Sequence, residues 1–148
     1  MSTLREFLTE DHRYCDDLLA AAESAAGDGK PLVAQAAFAR FVAAMLEHFE
    51  AEEKQLFPAF EARTGMSMGP TQVMRGEHAQ MRDLMKAAVD ALDGGDSEEY
   101  LGQVETLLIM MQQHNMKEEN ILYPMCDQHL QQESQDLLDA LQATLCRT

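Results

Sequence analysis

Six side chains able to ligate a metal recur in this chain under one offset. Residues 48–58 read HFEAEEKQLFP and residues 114–124 read HNMKEENILYP. Both fit His-x3-Glu-Glu-x2-Leu-[Phe/Tyr]-Pro, and a further histidine stands 36 residues before each copy, at His12 and His78. A shift of 66 residues carries His12, His48 and Glu52 onto His78, His114 and Glu118, and it takes in four of the five histidines. A packing core imposes no common offset on its polar residues. A two-fold metal site does.

Residues four apart share one face of a helix, so His48 with Glu52, and His114 with Glu118, each present a nitrogen and a carboxylate to the same cavity. Buried glutamates without partners are costly, which argues against four core histidines beside two idle carboxylates. Four imidazoles and two carboxylates are too many donors for one structural zinc and too nitrogen-rich for calcium or magnesium. In the core of a helix bundle this mixture suits iron, in preference to manganese.

Five helical segments are predicted to position these groups. The first opens at Thr3, where Thr3 and Glu6 fit a capping box, and stops at Gly27-Asp28-Gly29. Its apolar face, with Leu8, Cys15 and Leu19, includes His12. Pro31 suits the first turn of a second helix running to about residue 63, and residues 65–70 form a loop. The third helix covers about 71–92, with Met74, His78, Met81, Met85 and Ala88 in one stripe. After the DGGDS break at 93–97, the fourth runs to about Tyr123, with Val104, Leu108, Met111, Glu118 and Ile121/Leu122 inward. A short fifth helix spans about 132–145. The expected fold is all-α: an up-down-up-down four-helix bundle of two repeated hairpins, covering about 3–126, with the short C-terminal helix over one end or edge. Pro58 and Pro124, six residues beyond each glutamate, should kink or end their helices.

The 148 residues are expected to form a single domain whose core stands without disulfides. A formal charge of −15 with no basic patch argues against nucleic acid and against anionic membrane surfaces. No run of about 18 apolar residues suggests a transmembrane helix, and the N-terminus lacks the basic-then-apolar pattern of a signal peptide. Three cysteines without paired spacing point to a reducing cytoplasm.

At its ordered His … His-x3-Glu … His … His-x3-Glu set, the chain resembles the hemerythrin family, in the HHE cation-binding or hemerythrin-like branch, over about residues 10–126. That resemblance implies a four-helix bundle around two non-haem irons with an oxo or hydroxo bridge. It implies His12 and His48 on one iron, His78 and His114 on the other, and Glu52 and Glu118 bridging. Two departures stand out. Oxygen carriers of the family have a His-x3-His pair on the third helix, where this chain has Arg82 four residues after His78. They also place the second bridging carboxylate five residues after its histidine, which here is Glu119; Glu118 is chosen because it matches Glu52, with Glu119 as the rival.

Two histidines, one oxygen from each glutamate and a bridge leave one open position on each iron. Two open irons suit chemistry on small oxidants more than carriage. The expected function is therefore a di-iron protein that binds and reacts with dioxygen, peroxide or nitric oxide in stress response or sensing. The ligand set also looks like that of di-iron proteins linked to iron–sulfur cluster repair and nitric oxide stress, which carry a further Cys-bearing domain. The alternatives are an oxygen- or iron-binding storage protein without turnover, and a metal-stabilised protein-interaction module. Outside the six ligands the reading is plain. Glu53 and Glu119 are solvated or helix-edge partners, the methionines are core, Cys15 is a small buried residue, His129 is exposed, and Tyr123 is left unassigned.

Overall fold

The computed structural model describes residues 2–147, and among them there are five helices and no strand. Helix α1 is Leu4–Gly27 and α2 is Pro31–Thr64. Helix α3 is Pro70–Asp93, α4 covers 97–129, and α5 is Ser134–Thr144. Helix α1 packs along α2, α3 along α4, α2 against α3, and the last turns of α4 against α1. This closes the four long helices into the expected bundle of two hairpins.

The 66-residue repeat extends to the turns. Lys30 N–H donates to Ala25 O and Gly29 N–H to Ala26 O; Asp96 N–H donates to Ala91 O and Gly95 N–H to Leu92 O. Gly29 and Gly95 have φ of 71° and 76°, the left-handed conformation such a helix exit requires and glycine adopts without strain. Two helix starts carry side-chain caps: Thr3 Oγ1 accepts from Glu6 N at 3.0 Å, at the start the sequence suggests, and Asp96 Oδ1 from Glu99 N at 3.1 Å. Asp127 Oδ1 accepts from Leu4 N at 2.8 Å and ties the start of α1 to the end of α4.

The prolines do not end their helices. Each follows a single π-helical turn, Glu52–Leu56 in α2 and Glu118–Leu122 in α4. Proline has no N–H for the carbonyl four residues back. In both turns the preceding amide, of Phe57 or Tyr123, reaches one residue further, to Glu52 O or Glu118 O. The widened turn accommodates the ring, and helix continues to Thr64 and His129. It also shifts the phase of α4 beyond Glu118, so that Leu122 is buried and Ile121 exposed; upstream of it Val104, Leu107, Met111 and His114 form the buried face, which leaves Leu108, expected inward, half-buried.

Two apolar clusters fill the interior. One, toward the two hairpin turns, is built on Leu19, Phe38, Phe41, Met81, Met85 and Met111. The other holds Leu8, Phe57, Phe60, Leu122 and Tyr123 and is covered by Leu138 and Leu141 of α5. The buried histidines and glutamates and Asp11 lie in a layer between them. An 18-residue stretch of α2 reaches a mean hydropathy of 1.2, enough by length and composition to cross a membrane. No such segment was expected, because no apolar run is continuous. In the fold one face of this helix is core, with Ala34, Phe38, Phe41 and Phe49 buried beside His48, while Leu32, Val33 and Leu46 are exposed.

Candidate metal centre

All six predicted ligands meet in the middle layer. His12 comes from α1, His48 and Glu52 from α2, His78 from α3, and His114 and Glu118 from α4, and none is more than 5% exposed. Their donor atoms form two groups, each within 4.8 Å: His12, His48, Glu52 and Glu118, and Glu52, His78, His114 and Glu118. Both glutamates belong to both groups. Each glutamate opens a π turn, so the local widening of the helix falls where the carboxylates enter the core. Between the two rivals, Glu118 is the one in both groups; Glu119 is turned toward the outer edge of His12.

A shell of four carboxylates holds the imidazoles. His48 Nδ1 meets Asp11 Oδ2 at 2.7 Å and His114 Nδ1 meets Glu77 Oε1 at 2.8 Å. His12 Nδ1 meets Glu119 Oε2 at 2.7 Å and His78 Nδ1 meets Glu53 Oε2 at 2.6 Å. The shell obeys the same offset, since Asp11 maps onto Glu77 and Glu53 onto Glu119. The helix-edge role expected of Glu53 and Glu119 is the one they play. Asp11 and Glu77 were not anticipated, although each directly precedes a repeat histidine. The carboxylates are in turn held by cations. Arg82 grips Glu53 at 2.9 and 3.0 Å, Arg147 grips Asp11 at 2.8 and 3.1 Å, and Lys117 pairs with Glu77. Arg82 stands where carriers have a fifth histidine. A guanidinium has no lone pair to give a metal, and here it orients His78 through Glu53.

The arrangement fits a pair of cations. An imidazole that donates Nδ1–H to a carboxylate presents a bare lone pair at Nε2. His78 Nε2 and His114 Nε2 are buried with no hydrogen-bond partner, and so are Glu52 Oε1 and Glu118 Oε2. His78 Nε2 lies 3.1 Å from Glu52 Oε1 and His114 Nε2 lies 3.3 Å from Glu118 Oε1. Lone pairs directed at one another in a dry interior call for a positive charge between them, supplied by metal or, failing that, by protons.

The two halves differ in what lies beside them. The ring of Phe49 stacks on His78 at 4.0 Å and Phe57 lies against it at 5.7 Å. Tyr123, the repeat equivalent of Phe57, stacks on His12 at 5.6 Å and is fully buried. Its hydroxyl donates to Glu52 Oε2 at 2.7 Å and lies 3.0 Å from Glu118 Oε1. The sequence placed Tyr123 near the ligands without a role. The signal was the single Phe-to-Tyr difference inside the repeat. His129 is exposed, as expected, at the end of α4 and not at a helix start; Cys15 is buried, and burial raises its thiol to about 12.

The protein stripped of metal by chelation has a defined pH response. Burial pulls His48 down, but Glu52 and Asp11 overcome it and raise the imidazole to about 10. For His114, burial is overcome by Glu118 and Glu52, to about 9. A raised folded-state pKa gives stability that is complete below the unfolded value of about 6.5 and is lost as pH rises through the folded one. Asp11 and Glu53 are raised by burial but lowered further by His48 with Arg147 and by His78 with Arg82, each to about 2. Their contribution is complete above about pH 4 and lost on approach to pH 2. The metal-free bundle is therefore expected to melt highest between about pH 5 and 6.5 and progressively lower toward pH 10, as thermal unfolding followed by circular dichroism would show. A flat profile from pH 6.5 to 10 would contradict the charged-imidazole network.

A four-helix bundle with two His2Glu2 groups sharing their carboxylates defines a protein suited to a binuclear metal site. The family model for the hemerythrin HHE cation binding domain matches residues 3–126. The chain belongs to that family. Searches of curated proteins and of solved structures returned no match.

Proposed function

We propose that this chain is a non-haem di-iron protein that binds a small oxidant, dioxygen, peroxide or nitric oxide, and reacts with it. The sharing of Glu52 and Glu118 between the two donor groups carries this reading, because it brings two cations close enough to act on one small molecule. His12 and His48 would hold one iron, His78 and His114 the other, with both glutamates spanning the pair. Iron bound there supplies one-electron redox chemistry that no side chain of the chain offers.

The remaining work belongs to the protein. The buried layer between two apolar clusters excludes bulk water and admits only small molecules. The carboxylate on each Nδ1 fixes the tautomer that leaves Nε2 free to ligate and makes that nitrogen a stronger donor. Arg82, Lys117 and Arg147 offset the acid of the carboxylate shell. A groove between α2 and α3, lined by Val42, Leu46, Met85 and Val89 with Glu50, Arg82 and Lys86, reaches Arg82 from outside and is the entry route this reading favours. The corresponding face between α4 and α1 is lined by Leu19, Ala20 and Leu108 with Asp16, Glu23 and Gln112. A cytoplasmic setting, where iron stays reduced and available, is part of the proposal.

Adding dioxygen, hydrogen peroxide and nitric oxide separately to the anaerobic iron-loaded protein, with visible spectra recorded over time, tests the reading. A rapid spectral change with at least one of them is expected, and consumption over many equivalents would mark turnover. Full iron occupancy with no response to any of the three would overturn reactivity and leave storage or a metal-stabilised module.

A further inference from the structure

We propose that Tyr123 is a fifth protein ligand to the iron held by His12 and His48, so that the two irons are not equivalent. The inference rests on the di-iron reading above. Tyr123 Oη lies 2.7 Å from Glu52 Oε2, 3.0 Å from Glu118 Oε1, 3.1 Å from His12 Nε2 and 3.3 Å from His48 Nε2. These are four donor atoms from the residues of one metal-binding group.

The distances discriminate between roles. Nitrogen and oxygen donors sit about 2.1 Å from a first-row divalent metal. Neighbouring donors on an octahedron are then about 3 Å apart, the bond length times the square root of two. The phenol oxygen stands at that edge length from all four. Were it occupying the position of the cation, the separations would be near 2.1 Å. Hydrogen bonding alone does not account for the placement either. A phenol carries one proton, so it can satisfy Glu52 while its oxygen still faces a second carboxylate oxygen and two imidazole nitrogens. A cation bound to all five resolves those contacts, and the phenol proton leaves to solvent as metal binds.

The other half has no such group. The repeat equivalent of Tyr123 is Phe57, which packs on His78 and offers no donor. The His12/His48 iron therefore has five protein donors and the His78/His114 iron has four. With one solvent-derived bridge the first is closed at six and the second keeps one open position. This replaces the expectation of two open irons. It also sets the reactive iron on the side of Arg82, beneath the groove between α2 and α3.

The test is the spectrum of the iron-loaded, air-oxidised full chain, with iron content measured on the same sample. Bound phenolate gives a visible phenolate-to-iron(III) charge-transfer band, and laser excitation in that band enhances tyrosine ring vibrations that move on ring deuteration of tyrosine. Both are expected in the wild type and in Tyr14→Phe and Tyr100→Phe. Tyr123→Phe, which recreates the residue already accommodated at position 57, should lose the band completely. The labelled wild-type protein decides the question even if that variant folds poorly. Two irons per chain without deuterium-sensitive phenolate modes would overturn the ligand role and leave the di-iron reading standing. A chain that takes up no iron would overturn both.

Discussion

Glu52→Ala is expected to take the metal content from two per chain to none, whereas His12→Ala is expected to leave one. The difference follows from membership in the two groups. Glu52 and Glu118 belong to both, and each histidine belongs to one. Removing a shared carboxylate takes a donor from both cations and leaves the buried imidazoles facing one another. Removing His12 leaves His78, His114, Glu52 and Glu118 intact. Glu118→Ala should match Glu52→Ala, and Glu119→Ala should retain both metals, because Glu119 touches only His12 Nδ1 among the six. Elemental analysis of the four variants, with circular dichroism to confirm helix content, checks the pattern. Loss of a single metal on removing Glu52 would contradict the shared-carboxylate arrangement. Glu52→Gln preserves volume and serves if the alanine variant does not fold.

Asp11→Ala is expected to weaken metal binding in the His12/His48 half by about 10–100-fold, the usual effect of removing a partner that orients a ligating histidine. Asp11 is itself buried between His48 Nδ1 and the Arg147 guanidinium. Its loss frees the ring to turn and leaves the arginine held by Glu47 and the Ala44 carbonyl alone. Glu53→Ala should produce the same change in the His78/His114 half, where Glu53 joins His78 to Arg82. Arg82→Ala should act in that half too, and more weakly, since it reaches His78 only indirectly, through Glu53 and through the Phe49 ring it lies over. Competition against a chelator of known affinity resolves the two binding steps. The outcome that would sink this account is an unchanged affinity in both halves, with the carboxylate shell then serving only the charge balance of the fold.

The clustering of the six candidate ligands was legible because metal chemistry limits which residue types serve and helix geometry limits their spacing. His48 with Glu52 and His114 with Glu118 carry both constraints in plain view. The helices were legible from their turns and apolar stripes. The carboxylate shell was harder, since acidic residues next to ligands are common in a chain of charge −15 and read as solvated surface. The offset of 66, which already paired Glu53 with Glu119 in the motif, would have found Asp11 with Glu77 had it been applied to every acid. The π turns were not legible. Proline six residues past each glutamate signals a disturbed helix, but whether the helix stops, bends or widens depends on where the freed amide finds a carbonyl. Tyr123 was hidden for a different reason. The repeat drew attention to what is equal, and the asymmetry of the site lies in the one aromatic position where the copies differ by an oxygen atom.

The most direct measurement is an anaerobic titration of the chelator-treated chain with ferrous iron, followed by equilibrium dialysis and elemental analysis. Two His2Glu2 groups with shared carboxylates predict uptake that saturates at two irons per folded chain. Saturation at one or fewer, with the bundle still helical, would contradict a paired site.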